Sequence, residues 1–479
     1  MGDRDPPTLQ QLAIEGLLRE EALAISALEV MPPMLLPAMF EVAFKNRQTN
    51  VLRAMVPIWP FPYLPVGALI KTPHLETLKA LLGGLDAFFK QMDCPRKGKV
   101  RVLDLTTTDS HCWSIWAGTY EGDCSQQVVR HEQQPMETCH DSGMKNNLKV
   151  VTELKLVDND TKEYATHLVW WAEKKKDSIH LCCLKLQIWE PCISNVIEVL
   201  KSVDLQCIRE LHLRSLWIDD MAAFGPYLGQ MRNLHTLVLE GITNNFRMDE
   251  SQGLEEEWIS TLLSQFPKFH CLQHLYIDDI YLLVGCMREW LRSLKKPLET
   301  LSIKYCHLSQ ADLDHLPQCL NLSELRHLHL SSLLLAECLG PLGLLLERVK
   351  ATLQSLELEK CWLEDSGFRV LLPALSQCSQ LTKVNFIDNN LSLPLLMQLL
   401  HNIAKLSKLT QELYPAPLEC YDPSGLVLVH QFDQLCPELM AIIRTERKPK
   451  KVTFATRQCH KCFSCSIYEL ESRHCLCSQ

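Results

Sequence analysis

The residues best suited to chemistry lie near the C-terminus, in "CHKCFSCSIYELESRHCLC" (Cys459 to Cys477). Cys459, Cys462, Cys465, His474, Cys475 and Cys477 all fall there, with His460 beside the first. A C-x-x-C pair followed, twelve residues on, by C-x-C can close a tetrahedral thiolate zinc site. Cys459, Cys462, Cys475 and Cys477 are the expected ligands, of a structural ion at most, since nothing else in the chain requires a cofactor. The competing reading is a cysteine-rich tail that stays reduced and loose. A RING finger is excluded, because it needs more ligands over a longer span. The other chemistry-bearing patterns are missing: no P-loop, G-x-G-x-x-G, G-x-S-x-G or H-E-x-x-H occurs. "HEQQP" (His131 to Pro135) begins like a zinc-protease motif, but it lacks the second histidine and its proline would break the required helix. The expectation is a chain that is not an enzyme.

Composition narrows the class further. The net charge of −9, with both signs mixed along the chain, argues against direct nucleic-acid binding, which needs a surplus of basic phosphate contacts. The two basic runs, Lys174 to Lys176 and "ERKPKK" (Glu446 to Lys451), read as solvated surface. Twenty-two cysteines would fit a disulfide framework, yet "MGDRDPP" has no basic flank and apolar run of a signal peptide. No window approaches the ~18 apolar residues of a membrane span. The chain is therefore expected to be intracellular, cytoplasmic or nuclear, with mostly free thiols packed as small hydrophobes.

The elements that must position any site come from a repeat. "LETLSIKYCHL" (Leu298), "LRHLHLSSLLL" (Leu325), "LQSLELEKCWL" (Leu353) and "LTKVNFIDNNL" (Leu381) share one pattern and start 27, 28 and 28 residues apart. Weaker copies begin at Ile208, Leu234 and Leu272. In L-x-L the leucines alternate, so they share the inward face of a strand while their neighbours face out. Cys306, Cys361 and Asn389 hold the ninth position, where the chain leaves the strand, and are expected to be buried structural residues. Helical stretches such as Phe368 to Cys378 and Pro394 to Leu406 lie between strands. The fold class is α/β: a leucine-rich-repeat solenoid, a horseshoe with a parallel sheet inside and helices outside, preceded by a helical N-terminal cap. The predicted layout is a helical region over 1–95, degenerate repeats over 96–205 with an irregular insertion at 106–149, repeats over 206–410 and a cap with the Cys-rich tail over 411–479. "VRVLDL" (Val100) and "LCCLKLQIW" (Leu181) are the degenerate strands, and the long interval after Leu234 is a loop or longer helix around "RMDESQGLEEE".

Near the start, "TLQQLAIEGL" fits the elongin-binding BC box through Thr8, Leu9, Ala13 and Leu17, with Ala13 where the motif has cysteine. The spacing puts Leu9, Ala13 and Leu17 on one helical stripe. "MPPMLLPAM" fits a cullin-2 box through Met31, Pro32, Leu35 and Met39. Three L-x-x-L-L segments, starting at Leu78, Leu342 and Leu396, could dock a nuclear receptor. Core packing is favoured for the last two, and the first is expected to be more open.

Together with the repeats, "LLREEALAISALEVMPPMLLPAMFEVAF" (Leu17 to Phe44), "FGPYLGQMRNL" (Phe224 to Leu234), "PLETLSIKYCHLS" (Pro297 to Ser309), "ELYPAPLECYD" (Glu412 to Asp422) and the closing cysteines resemble the PRAME family over nearly the whole chain. The resemblance implies an intracellular substrate receptor for a cullin-2 ubiquitin ligase. Elongin B/C and the cullin-2 scaffold with its RING subunit are then its partners, together with a protein substrate. It also implies repression of retinoic-acid-dependent transcription and effects on differentiation, proliferation and apoptosis. Ala13 departs from the box, and Cys465 and His474 leave the metal ligand set open. Outward strand positions would read the substrate: His212, Arg214, Glu240, Tyr276, Asp278, Lys304, His329, Glu357 and Glu359. The alternative is a binding module without a ligase, a corepressor that masks a transcription factor or receptor by occupancy. In that case the Thr8 to Leu17 helix only caps the solenoid's end.

Overall fold

The computed structural model describes residues 8–90, 99–107, 113, 148–189, 193–243, 259–280, 284–335, 339–459, 461–475 and 477. They divide into two compact units, Met1–Glu210 and Leu211–Gln479. The loop expected around "RMDESQGLEEE" lies outside the described residues, as do His131 to Pro135 and His460.

The first unit opens with helices α1 (Leu9–Leu18), α2 (Glu21–Ala27), α3 (Leu36–Lys45), α4 (Thr49–Met55) and α5 (Leu75–Lys90). Helix α3 buries Leu36, Met39, Phe40 and Ala43, the stripe that a 3.6-residue period puts on one side. Phe40 meets the rings of Trp59 and Trp113, each at 5.4 Å, and the three buried aromatics form one cluster. Trp113 belongs to the segment expected to be an irregular insertion, so that segment contributes a core residue. Strands β1 (Tyr63–Pro65), β2 (Val102–Asp104), β3 (Leu148–Leu156) and β4 (Ile179–Ile188) pair parallel in chain order. The insertion therefore ends before Leu148, and its remainder lies outside the described residues. Gly67 follows β1 where a Cβ would fall 1.8 Å from the Thr106 carbonyl oxygen, an approach open to glycine alone. Helix α6 (Asn159–Glu173) carries the crossover from β3 to β4 and starts on a capping box between Asp158 and Thr161.

The first L-x-x-L-L segment corrects the expectation that it is open. Leu78, Leu81 and Leu82 on α5 are all buried. They pack in an array of helices that covers more than one face of α5, which a strictly amphipathic reading underestimates. Leu342, Leu345, Leu346, Leu396, Leu399 and Leu400 are buried as expected.

In the second unit the repeat is laid out strand by strand: β5 (Glu210–Arg214), β6 (Thr236–Glu240), β7 (His274–Asp278), β8 (Thr300–Lys304), β9 (His327–Ser331), β10 (Ser355–Glu357), β11 (Lys383–Asn385), β12 (Gln411–Pro415) and β13 (Lys451–Ala455). From β6 to β13 each pairs parallel with the next, and Leu237, Leu275, Leu301, Leu328, Leu356 and Val384 stand in one register row. Helices α7 (Leu339–Val349), α8 (Asp365–Leu375), α9 (Leu393–Ile403) and α10 (Val429–Glu446) return the chain and pack in succession. The chain is thus an α/β leucine-rich-repeat protein. A short antiparallel hairpin, β14 (Ile467–Tyr468) and β15 (Ser472–Arg473), closes the sheet on β13.

The exits of seven successive strands, β5 to β11, repeat one joint. Ser215, Gly241, Asp279, Tyr305, Ser332, Lys360 and Asp388 all take left-handed backbone angles, φ between 48° and 60°. The N–H of Ser215 donates to the Glu240 carbonyl (2.9 Å), that of Gly241 to Asp278 (2.9 Å), of Asp279 to Lys304 (3.0 Å) and of Tyr305 to Ser331 (3.1 Å). Only one of these positions is glycine, so the lateral bond offsets a conformational cost of about 1 kcal/mol at Ser215, Asp279, Tyr305, Ser332 and Lys360. Cys306 and Cys361 are buried inside the turn, where their thiols donate to the Lys304 and Leu330 carbonyls at 3.0 and 2.9 Å. Burial pushes the thiols up, to about 11 and about 12, so neither is a reactive thiolate at neutral pH.

One basic run also needs correcting. Arg447, expected on solvated surface, is mostly buried and pairs at 2.5 Å with Glu412, which occupies the leucine row on β12. A carboxylate in a core register has to draw a cation inward, which the sequence pattern does not display.

Candidate functional site

Helix α1 is held open at its start by a capping box. Thr8 Oγ1 accepts from the Gln11 N–H (3.2 Å) and Gln11 Oε1 accepts from the Thr8 N–H (2.7 Å). The inner face is Ile14 and Leu18, both buried. The outer face carries Leu9, 84% exposed, Leu12, 50% exposed, and Ala13, also exposed, with Leu17 half-buried. An apolar face therefore remains uncovered within the first unit. Met31 and Leu35 are half-buried and Pro32 is exposed. Met39 is fully buried in the α3 stripe, so it cannot touch a partner; Met34, 82% exposed, is the outward methionine of that segment. The helical period places Met39 with Leu36 and Phe40, which outweighs its fit to a linear motif.

On the second unit's strands, the positions between the core leucines form a mixed, cross-linked face. Arg214 meets Glu240 at 2.5 Å, Lys383 meets Glu357 at 2.6 Å and Asn385 donates to Glu359 at 2.8 Å. His212, Tyr276, Asp278, Lys304 and His329 are partly exposed beside them, and Glu359 is exposed. Burial first, then the neighbouring Glu240, raises the Asp278 carboxyl. Burial also pushes His329 down to about 4, so it is neutral at pH 7 and its 3.9 Å approach to Glu357 is no ion pair. Glu357 is buried and held between His329 and Lys383, which removes it from the residues free to read a substrate. Lys383, the partner that covers it, was not among the expected residues; it lies on the next strand in register with Ser355, two residues before the position that faces Glu357. Tyr305 and Trp362, exposed aromatics flanking the ninth position, were missed as well.

The thiols of Cys459, Cys462, Cys475 and Cys477 lie within 4.8 Å of one another. Neither Cys465 nor His474 joins them, and His474 instead contacts Asp433 at 3.2 Å. Cys475 Sγ lies 3.0 Å from Cys462 Sγ, and hydrogen bonding from it, helped by the Ser464 backbone, lowers Cys462 to about 6. A second group, His180, Asp204 and Cys207, assembles in the first unit. His180 is 24 residues from Asp204 and 27 from Cys207, and Asp204 doubles as a turn cap for Gln206, so no spacing announces the group.

His180 Nε2 meets Asp204 at 2.9 Å. The hydrogen bond to Asp204 raises His180, and the same bond lowers Asp204. The histidine's contribution to stability is complete below its ordinary value and is lost as pH rises through the raised one. The aspartate's is present above its ordinary value and is lost as pH falls through the lowered one. Asp204→Asn keeps the turn cap but removes the charge. The loss of protection in the β4 peptide, read by hydrogen-exchange mass spectrometry, should be greatest in mildly acidic buffer and shrink by pH 9. A loss that does not vary with pH would mean the pair is not ionic.

The chain matches the family model for the PRAME N-terminal domain over residues 6–113 and that for the PRAME C-terminal domain over 148–477. The chain belongs to the PRAME family. It is 48% identical to mouse (Mus musculus) Oogenesin-3, covering 97% of this chain and 93% of that one, and 46% identical to mouse Oogenesin-2, covering 98% and 97%. Human (Homo sapiens) PRAME family member 12 is 40% identical, with 98% of this chain and 97% of the relative covered. Among solved structures it is similar to the leucine-rich repeat-containing protein LegL7 from Legionella pneumophila (13% identity, 64% of this chain and 91% of that one, TM-score 0.35). Among the described residues of this PRAME-family chain, no helix is long and apolar enough to cross a membrane.

Proposed function

We propose that the chain is the non-catalytic substrate receptor of a cullin-2/elongin B/C ubiquitin ligase. The observation that carries this reading is the uncovered stripe of α1. Leu9 and Ala13 point away from the unit's own core, with Leu17 half-buried, at the positions where a BC box meets elongin C, and exposed Leu12 widens the same apolar face. Met31, Pro32 and Leu35, with Met34 in the place of the buried Met39, would engage the cullin. The strand face around Arg214, Tyr276 and Lys304 would hold a protein substrate destined for the proteasome. In this reading the chain contributes proximity alone, and the RING subunit's partner enzyme transfers ubiquitin. Effects on transcription, differentiation, proliferation and apoptosis would follow from the substrate removed.

Leu9→Asp separates the readings. A central apolar anchor is worth about 2 kcal/mol, roughly thirtyfold in affinity. Leu9 is mostly solvated here, so its loss should leave folding within about 0.5 kcal/mol of wild type. Capture of purified elongin B/C by wild type and its loss in the variant, at equal circular dichroism, supports the receptor reading. Absence of capture by folded wild type overturns it in favour of occupancy of a transcriptional partner. With all three L-x-x-L-L segments buried, such a partner would have to be bound elsewhere on the chain.

A further inference from the structure

We propose that Cys459, Cys462, Cys475 and Cys477 hold a single zinc ion as a four-thiolate structural site, and that this ion ties the C-terminal hairpin shut on the edge of the repeat sheet. The inference is independent of the ligase reading. It begins from the placement of the sulfurs: four thiols from two separate segments converge within 4.8 Å, and none is in a disulfide. A tetrahedral site with Zn–S bonds of ~2.3 Å needs sulfurs about 3.8 Å apart, so an ion is accommodated by side-chain adjustment alone.

The backbone is shaped for the same purpose. Cys459 and Cys462 sit on a tight turn in which the Phe463 N–H donates to the Cys459 carbonyl (2.8 Å) and the Cys459 N–H to the Ser464 carbonyl (2.9 Å). Phe463 adopts a φ of 56°, the left-handed region, and its ring is left in solvent. That conformation is costly for an aromatic residue and gains no packing. It does aim backbone N–H groups at sulfur: Lys461 and Cys462 donate toward Cys459, and Ser464 toward Cys462. Backbone donors around the first two sulfurs fix their orientation, as outer partners do for metal ligands. On the other segment the Cys475 N–H is fixed by Ser466 Oγ at 3.1 Å, and the Cys477 N–H faces Cys475 Sγ at 3.4 Å.

Beyond its pairing with β13 and a few side-chain contacts, the tail has little core of its own. Strands β14 and β15 are two residues each, too short to stand as an isolated hairpin. From residue 461 to 475 only Ser466, Tyr468 and Cys475 are buried, while Phe463 and Leu470 are exposed. The first cysteine pair precedes β14 and the second pair follows β15, so the sulfurs meet at the hairpin's open end. An ion there replaces the missing core. Binding releases the remaining thiol protons to solvent and changes no oxidation state.

The structure also settles which residues stay out. Cys465 is absent from the cluster and His474 is engaged with Asp433. The test uses the full chain purified under reducing conditions, with metal content measured by plasma mass spectrometry and intact mass by native mass spectrometry. Wild type and Cys465→Ser should each carry about one zinc per chain. Cys459→Ser/Cys475→Ser, which removes one ligand from each segment, should carry none, with protection of β6 to β9 unchanged by hydrogen exchange. A chelator should strip the wild-type ion and expose β14 and β15 to exchange. Wild type with all four thiols alkylatable and no metal, a mass deficit matching two disulfides, or iron in place of zinc would each overturn the proposal, as would loss of the ion in Cys465→Ser.

Discussion

Arg447→Ala should destabilise the end of the repeat sheet by about 3–5 kcal/mol, the cost of leaving a buried charge without its partner. Glu412 sits on β12 in line with Val384 and Val452, a register in which every earlier strand from β6 on carries a leucine or valine. Its carboxylate is reached by Arg447 from the end of α10 and by the Tyr414 hydroxyl, which donates at 2.7 Å. Burial first, and then this carboxylate, holds the Tyr414 phenol well above its usual range, so it remains a donor. Removing the guanidinium leaves one neutral hydrogen bond against a full desolvated charge. The double variant Glu412→Leu/Arg447→Met restores the leucine row, and replacement of both partners by apolar groups is often neutral or stabilising. Its denaturant midpoint, followed by exchange of the β12 amides, should return to the wild-type value or exceed it. A double variant as unstable as Arg447→Ala would show that the pair is needed for more than charge balance.

The second large effect is expected at Asn389. Its side-chain oxygen accepts from the Cys361 N–H (3.2 Å) and the Leu363 N–H (3.0 Å), and its amide donates to the carbonyls of Leu358 (2.7 Å) and Phe386 (2.9 Å). The residue is buried, so water cannot replace it. Asn389→Ala strands two donors and two acceptors, each worth about 1–3 kcal/mol when unpaired, and a loss of roughly 4 kcal/mol or more follows. Cys361→Ala removes only a weak thiol donor and a small buried volume, and should cost about 1–2 kcal/mol. Equal losses in urea melts of the two variants would contradict this account of the ninth position.

The repeats were legible because two periods coincide there: alternation within each strand and a near-constant spacing between strands. All four strong copies lie on strands, and the helix anticipated from Phe368 starts only three residues earlier, at Asp365. What escaped the pattern depends on neighbours a repeat away. Glu357 is covered by Lys383, and Glu412 recruits Arg447 from the end of α10; neither event leaves a local trace. Met39 is a different case, since the Leu36, Met39, Phe40, Ala43 stripe was present in the sequence and a linear motif was allowed to override it. At the C-terminus the spacing of the cysteines proposed a ligand set, but only the backbone turn at Phe463 and the His474–Asp433 contact separate it from Cys465 and His474.

The joint repeated at the exits of β5 to β11 has a bearing on ancestry. Six of the left-handed residues, Ser215 to Lys360, donate to the chain at the end of the following strand in the same way whatever their side chain, so one joint can be exchanged for another. A duplicated or deleted stretch that starts and ends at these joints would rebuild the lateral bond at its seam, and one cut elsewhere in a repeat would not. Gene copies of this architecture can therefore gain or shed whole turns of the solenoid while their outward strand residues drift, which gives a lineage new recognition surfaces without a new fold.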